Sequence, residues 1–96
     1  MIEVSRFRLV GEVSTEDFLE TNADYQQRFV YQQEGVLRRT VASGLDGEWV
    51  SLTWWRSMKD ARRSTSEAST SPVAQAFSAL LEPASISTEY FKELPG

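Results

Sequence analysis

Apolar and polar positions alternate with a period of two over the first ten residues. Glu3, Ser5, Phe7 and Leu9 share one face of an extended chain, and Val4, Arg6, Arg8 and Val10 share the other. The pattern predicts a strand over residues 2–10. Neither face is cleanly polar, which predicts cover on both sides. The period then lengthens. Phe18, Asn22, Tyr25 and Phe29 recur at helical spacing, and Leu19 and Val30 widen the stripe. Ser14 and Asp17 stand in capping-box positions ahead of it, and Val13 and Phe18 in those of a hydrophobic staple. A helix from Ser14 to about Gln32 follows, closed before Gly35.

The pattern returns to strand from Val36 to Ala42 and again from Glu48 to Trp55, with Gly44-Leu45-Asp46-Gly47 between them as turn chemistry. On the second of these strands Val50, Leu52 and Trp54 point one way, and Trp49, Ser51, Thr53 and Trp55 the other. Large apolar groups on both sides predict a central strand. Ser57, with Asp60 three residues on, caps a further helix whose only apolar residues are Met58, Ala61 and Ala68. The serine-rich run from Ser64 to Ser71 reads as a fraying helix end and a loop. Pro72 restarts a helix with the stripe Val73, Ala76, Phe77, Leu80 and Leu81, and Pro83 ends it. A last strand is expected over residues 85–94.

The order is β-α-β-β-α-β, an α+β, ferredoxin-like arrangement. Right-handed crossovers turn it into a four-stranded antiparallel sheet with the first and third strands in the middle and helices on one face. The other face would leave tryptophan and valine uncovered, and a second copy of the chain is the simplest cover. The expectation is one domain over residues 1–96, assembled as a homodimer.

Charge and composition narrow the function. The chain has 96 residues, 41% of them hydrophobic, a formal net charge of −4 and a pI near 4.8. That balance opposes non-specific binding to nucleic acid or anionic membranes, which need clustered positive charge. Cysteine and histidine are both absent. Disulfides, thiolate nucleophiles and His-based triads are therefore excluded within the chain, and no metal or cofactor site is expected. Residues 1–4 do not lead into the apolar core of a signal peptide, and no apolar run approaches the roughly 20 residues that span a bilayer. A cytoplasmic location is the default expectation.

The run VSLTWWRSMKDAR resembles a segment of the dimeric α+β barrel superfamily in which a strand ends in Trp-x-Ser and leads into a helix bearing Asp-Ala. The upstream GVLRRTV, the glycine-rich turn after it and the later SPVAQAF are also similar to that superfamily. The likeness is closest to its antibiotic-biosynthesis-monooxygenase-like group, which includes cofactor-free oxygenases and haem-degrading enzymes. The resemblance implies a dimeric α+β barrel. Many members carry a histidine in the helix after the Trp-containing strand. Here that region reads Arg63-Ser64-Thr65-Ser66, so ligation of haem by histidine is excluded.

Candidate residues divide between a ligand pocket and a dimer face. Asn22, Tyr25, Phe29, Trp54 and Phe77 are the pocket candidates. An aromatic ligand could stack on a tryptophan, and an amide on an apolar helix face must find a partner. Arg6, Arg8, Trp49 and Trp55 are the dimer-face candidates, with Glu48 or Glu89 as carboxylates for the arginines. Ordinary packing and structural ion pairing compete with each of these roles. Three functions remain open at this point. They are a homodimeric small-molecule-binding protein, a cofactor-independent monooxygenase acting on an aromatic, polyketide-like substrate, and a ligand-sensing regulatory module.

Overall fold

The computed structural model describes residues 1–96. In chain order it forms β1 (Ile2–Phe7), α1 (Thr15–Arg28), β2 (Val36–Ser43), β3 (Trp49–Trp55), α2 (Met58–Ala68), α3 (Pro72–Ser78) and β4 (Ser87–Phe91), with short 3-10 turns at Val30–Gln32 and Pro83–Ser85. The strands lie in the order β2-β3-β1-β4, every neighbouring pair antiparallel. This is the ferredoxin-like sheet, with β1 and β3 central as the pattern predicted.

Each helix starts where a serine can satisfy a free backbone donor. Ser14 Oγ accepts from the Asp17 N–H at 3.1 Å, Ser57 Oγ from the Asp60 N–H at 3.1 Å, and Ser71 Oγ from the Ala74 N–H at 3.2 Å. Ser57→Ala should cost about 1 kcal/mol in urea denaturation, since it removes this cap. The helix ends differ from expectation. α1 stops at Arg28 and tightens into a 3-10 turn, and Gly35, at φ +85°, then swings the chain into β2. α2 does not fray at Ser64; it runs to Ala68, with Ser64 buried. β1 stops at Phe7, and Leu9 makes only an isolated bridge to Leu81.

Register decides which side chains meet the helices. Phe7 opposes Trp49, Ser5 opposes Ser51, and Glu3 opposes Thr53. Phe7 packs on Phe18 of α1 and Phe77 of α3, and with Leu81 these form the main buried cluster. Trp49 must then also face the helices, and its ring lies 4.6 Å from that of Phe18. Strand parity carries Ser51, Thr53 and Trp55 to the same side. Trp49 and Trp55 are therefore not on the outer, dimer-type face, and Trp54 is not on the helix side. Those three assignments are corrected: Trp54 lies outside, under the Arg38 guanidinium at 4.7 Å. Arg8 is also displaced from the dimer face. It lies beyond the end of β1 and donates to the Asp46 carbonyl and carboxylate, at 2.9 and 3.2 Å, pinning the β2–β3 turn. Arg6 does lie on the outer face, 4.0 Å from Glu89.

On the outer face Ile2, Val4, Val50, Leu52 and Trp54, all partly exposed, form an apolar band, and Trp54 Nε1 donates to Glu93 of the C-terminal segment at 3.1 Å. No helix is long and apolar enough to cross a membrane.

Candidate functional site

The inner face of the sheet carries small polar residues at its centre. Arg39 on β2, Thr53 on β3, Glu3 on β1 and Tyr90 on β4 form one cross-strand row. Val41, Ser51, Ser5 and Thr88 form the next. Ser5, Ser51 and Thr53 are too short to reach the helices above. α2 answers them with Ser64, Thr65 and Ala68 instead of large apolar side chains. The gap is a cavity of about 190 Å³, floored by the sheet and walled by Tyr25, Phe29 and Phe77. The weak apolar stripe of α2 is thus the roof of a space and not the mark of a poor helix.

Arg39 and Glu3 both line this cavity from opposite sides of the floor. Arg39 is only 6% exposed. Its Nη1 donates to Asn22 Oδ1 at 2.7 Å and to Gln26 Oε1 at 3.0 Å, and its guanidinium lies over the rings of Tyr25 and Phe77 at 5.1 and 5.4 Å. The Tyr31 hydroxyl fixes the backbone, accepting from the Arg39 N–H at 3.1 Å. Burial pulls the guanidinium below its ordinary value, while Tyr25, Tyr31 and Glu3 act the other way. It remains a cation at any physiological pH. No carboxylate pairs with it: the salt bridges of the chain include neither Arg39 nor Glu3.

Glu3 accepts a hydrogen bond from Trp55 Nε1 at 2.8 Å. Burial raises its carboxyl above the ordinary 4.5; the Trp55 bond and the Arg39 charge oppose that rise without cancelling it. A raised carboxylate binds a proton more readily when folded than when unfolded, so ionisation destabilises the fold. Stability should fall as pH climbs from the ordinary 4.5 through the raised value, and Glu3→Gln should flatten that slope in thermal melts taken across it. The Tyr25 hydroxyl is also raised by burial and stays neutral. The site therefore sets a fixed cation and a proton acceptor on opposite sides of a largely enclosed space, with stacked rings as one wall.

Of the sequence candidates, Tyr25, Phe29 and Phe77 come together at this wall; Tyr25 stacks on Phe77 at 4.3 Å and on Phe29 at 5.6 Å. Asn22 stands behind the cavity and holds Arg39 in place. Trp54 is on the far side of the sheet. Sequence reasoning missed Glu3, Arg39 and Ser64. A signal was present: Glu3 shares the strand face that carries Phe7, where a charge needs a reason.

No protein-family model matches the sequence. No curated protein matches it either. Solved structures do. The cofactor-independent oxygenase SnoaB of Streptomyces nogalater aligns with a TM-score of 0.78 at 23% identity, over 99% of this chain and 93% of that one. The fold is that of the antibiotic-biosynthesis-monooxygenase-like proteins. At3g17210 of Arabidopsis thaliana aligns at 0.80 with 13% identity, over 99% and 96% of the two chains. An antibiotic-biosynthesis-monooxygenase-type protein of Nitrosomonas europaea aligns at 0.72 with 14% identity, over 98% of each. These likenesses concern the backbone fold.

Proposed function

We propose that the chain is a cofactor-independent oxygenase acting on a small, electron-rich hydroxylated aromatic, and that it works as a homodimer. The observation that carries this reading is the unfilled cavity in which Arg39 and Glu3 face each other unpaired. A pure binding or packing role would not need two desolvated, uncompensated charges, which cost stability. A catalyst does, because Glu3 can take the proton of an aromatic hydroxyl while the Arg39 cation across the cavity offsets the negative charge of the bound substrate.

The chemistry then belongs to the substrate. A ring with two hydroxyls, deprotonated in a dry site, is a strong enough reductant to meet dioxygen directly. One oxygen atom enters the ring, the other leaves as water with two substrate protons, and the dihydroxy ring becomes a hydroxyquinone. Atoms and electrons balance with no further donor. The protein contributes the base, the counter-charge and the exclusion of water. SnoaB, described as cofactor-independent, offers a precedent for this kind of chemistry on this backbone. An oxygen electrode tests the reading. Purified, chelator-treated protein should consume dioxygen in the presence of a dihydroxybenzene panel, one equivalent per substrate; absence of uptake with every compound that binds would refute it.

The dimer rests on the outer apolar band. Leu52→Lys, at the middle of β3, should weaken self-association at least about tenfold, since it places an unpaired charge in the seam. Sedimentation would show it as a shift from dimer to monomer. A wild-type chain that sediments as a monomer at micromolar concentration would remove the claim.

A further inference from the structure

Resting on that reading of the cavity as a substrate site, we infer that the substrate is a single-ring hydroxybenzoate-type acid, its carboxylate on Arg39 and a ring hydroxyl on Glu3. The first argument is size. A cavity of about 150 Å³ accommodates benzene, and this one measures about 190 Å³. That leaves room for one ring with substituents, or at most a compact bicycle. A tricyclic or tetracyclic ring system does not fit.

The second argument is the unused edge of Arg39. Only Nη1 has acceptors within the chain. Nε and Nη2 have none, yet no wholly enclosed side-chain nitrogen or oxygen is left without a partner. These two nitrogens therefore remain reachable, on a side chain that is almost wholly buried and lines the cavity. The Nε–Nη2 side of a guanidinium is a planar fork that matches both oxygens of a carboxylate. A neutral carbonyl would satisfy one of those donors and leave the charge uncompensated.

The third argument is spacing. Arg39 and Glu3 stand in one cross-strand row with Thr53 between them, so their backbones are two strand spacings apart, about 10 Å. Side chains reaching inward from both ends leave the length of one substituted ring. Glu3 Oε1 is occupied by Trp55, and Oε2 has no partner in the chain. It is free to accept from a ring hydroxyl meta or para to the acid, such as the 5-hydroxyl of gentisate. Tyr25, Phe29 and Phe77, stacked on one another, supply an aromatic side wall for that ring.

Anaerobic titration of the wild-type dimer, read by the fluorescence of Trp55 in the cavity lining, tests the inference with three probes. Gentisate, a dihydroxybenzoate, should saturate at one per chain. Gentisamide, its neutral amide, should bind at least about tenfold more weakly. The tricyclic dithranol should neither bind nor displace gentisate. Arg39→Gln should bring gentisate down to the level of gentisamide. Ser51→Leu, which fills the floor without touching either charge, should abolish gentisate binding, and it serves where Arg39→Gln does not fold. Equal affinity for acid and amide, displacement by dithranol, or gentisate binding that survives Ser51→Leu would overturn the assignment. The two readings fail separately. Gentisate that binds but is stable to oxygen refutes the oxygenase and leaves the ligand class standing. Oxygen uptake with dithranol, without gentisate binding, does the reverse.

Discussion

Glu3→Gln should lower dioxygen consumption by about 10²–10⁴-fold, the range over which a positioned general base contributes. The substitution is nearly isosteric. Glutamine keeps an oxygen for the Trp55 Nε1 bond and removes a desolvated charge, so the variant should be as stable as wild type or more so at neutral pH. Lost activity could not then be laid to lost structure. The pH profile adds a second readout. Wild-type turnover should rise with pH as the raised Glu3 carboxyl ionises, at a midpoint above the ordinary 4.5, and the variant should lack that limb. Stopped-flow or oxygen-electrode rates from acid to neutral pH would show both effects. A variant that turns over at the wild-type rate would remove Glu3 from the chemistry.

Gly35→Ala should cost about 3 kcal/mol in chemical denaturation, well beyond an ordinary surface substitution. Two causes add. Gly35 sits at φ +85°, which an L side chain rarely adopts. An added Cβ would also collide with the carboxylate of Asp60, at the start of α2. Asp60 cannot easily move away. Its backbone N–H is capped by Ser57, its Oδ2 accepts from the Ser57 hydroxyl at 3.0 Å, and its Oδ1 accepts from Arg63 at 2.8 Å. Arg63 in turn reaches Glu34, the residue before Gly35, at 2.7 Å. The glycine thus lets the end of the α1 segment nest against the start of the helix that roofs the cavity. Asp60→Ala in the Gly35→Ala background should recover part of the loss, and a double-mutant cycle measures the coupling.

Much of the fold can be read along the chain because local chemistry and global topology agree. Serine caps stand at Ser14, Ser57 and Ser71, Gly35 takes positive φ before β2, and the hairpin closes over Gly47 at φ +88°. The period change from two to 3.6 places β1, α1, β2 and β3 in the right order, and from that order the central position of β1 and β3 follows. Helix ends were less legible. Whether α1 closes as α or 3-10 depends on how Phe29 and Val30 pack against Ala74, a tertiary matter.

The site was legible only in part. Tyr25, Phe29 and Phe77 declare themselves by their helical stripe, and they do line the cavity. The tryptophans mislead for a physical reason. Between Val50-Leu52-Trp54 and Trp49-Ser51-Thr53-Trp55, the first set is the more uniformly apolar and looks like the core face. A filled core would use it so. This protein instead turns the mixed set inward, because small polar side chains at Ser51 and Thr53 keep the centre empty, while Trp55 lines that space and Trp49 packs on Phe18 in the buried cluster beside it. The same inversion hides Arg39 and Glu3. Each looks like a surface charge until the register aligns them across Thr53.

Mixing an anaerobic complex of the protein and a bound dihydroxybenzoate with buffer saturated in oxygen-18 tests the account most directly. The prediction is a single turnover without added metal, flavin or reductant, giving a hydroxyquinone with one labelled atom and one equivalent of labelled water. A bound ligand that passes through the mixing unchanged, or a product free of label, would contradict it.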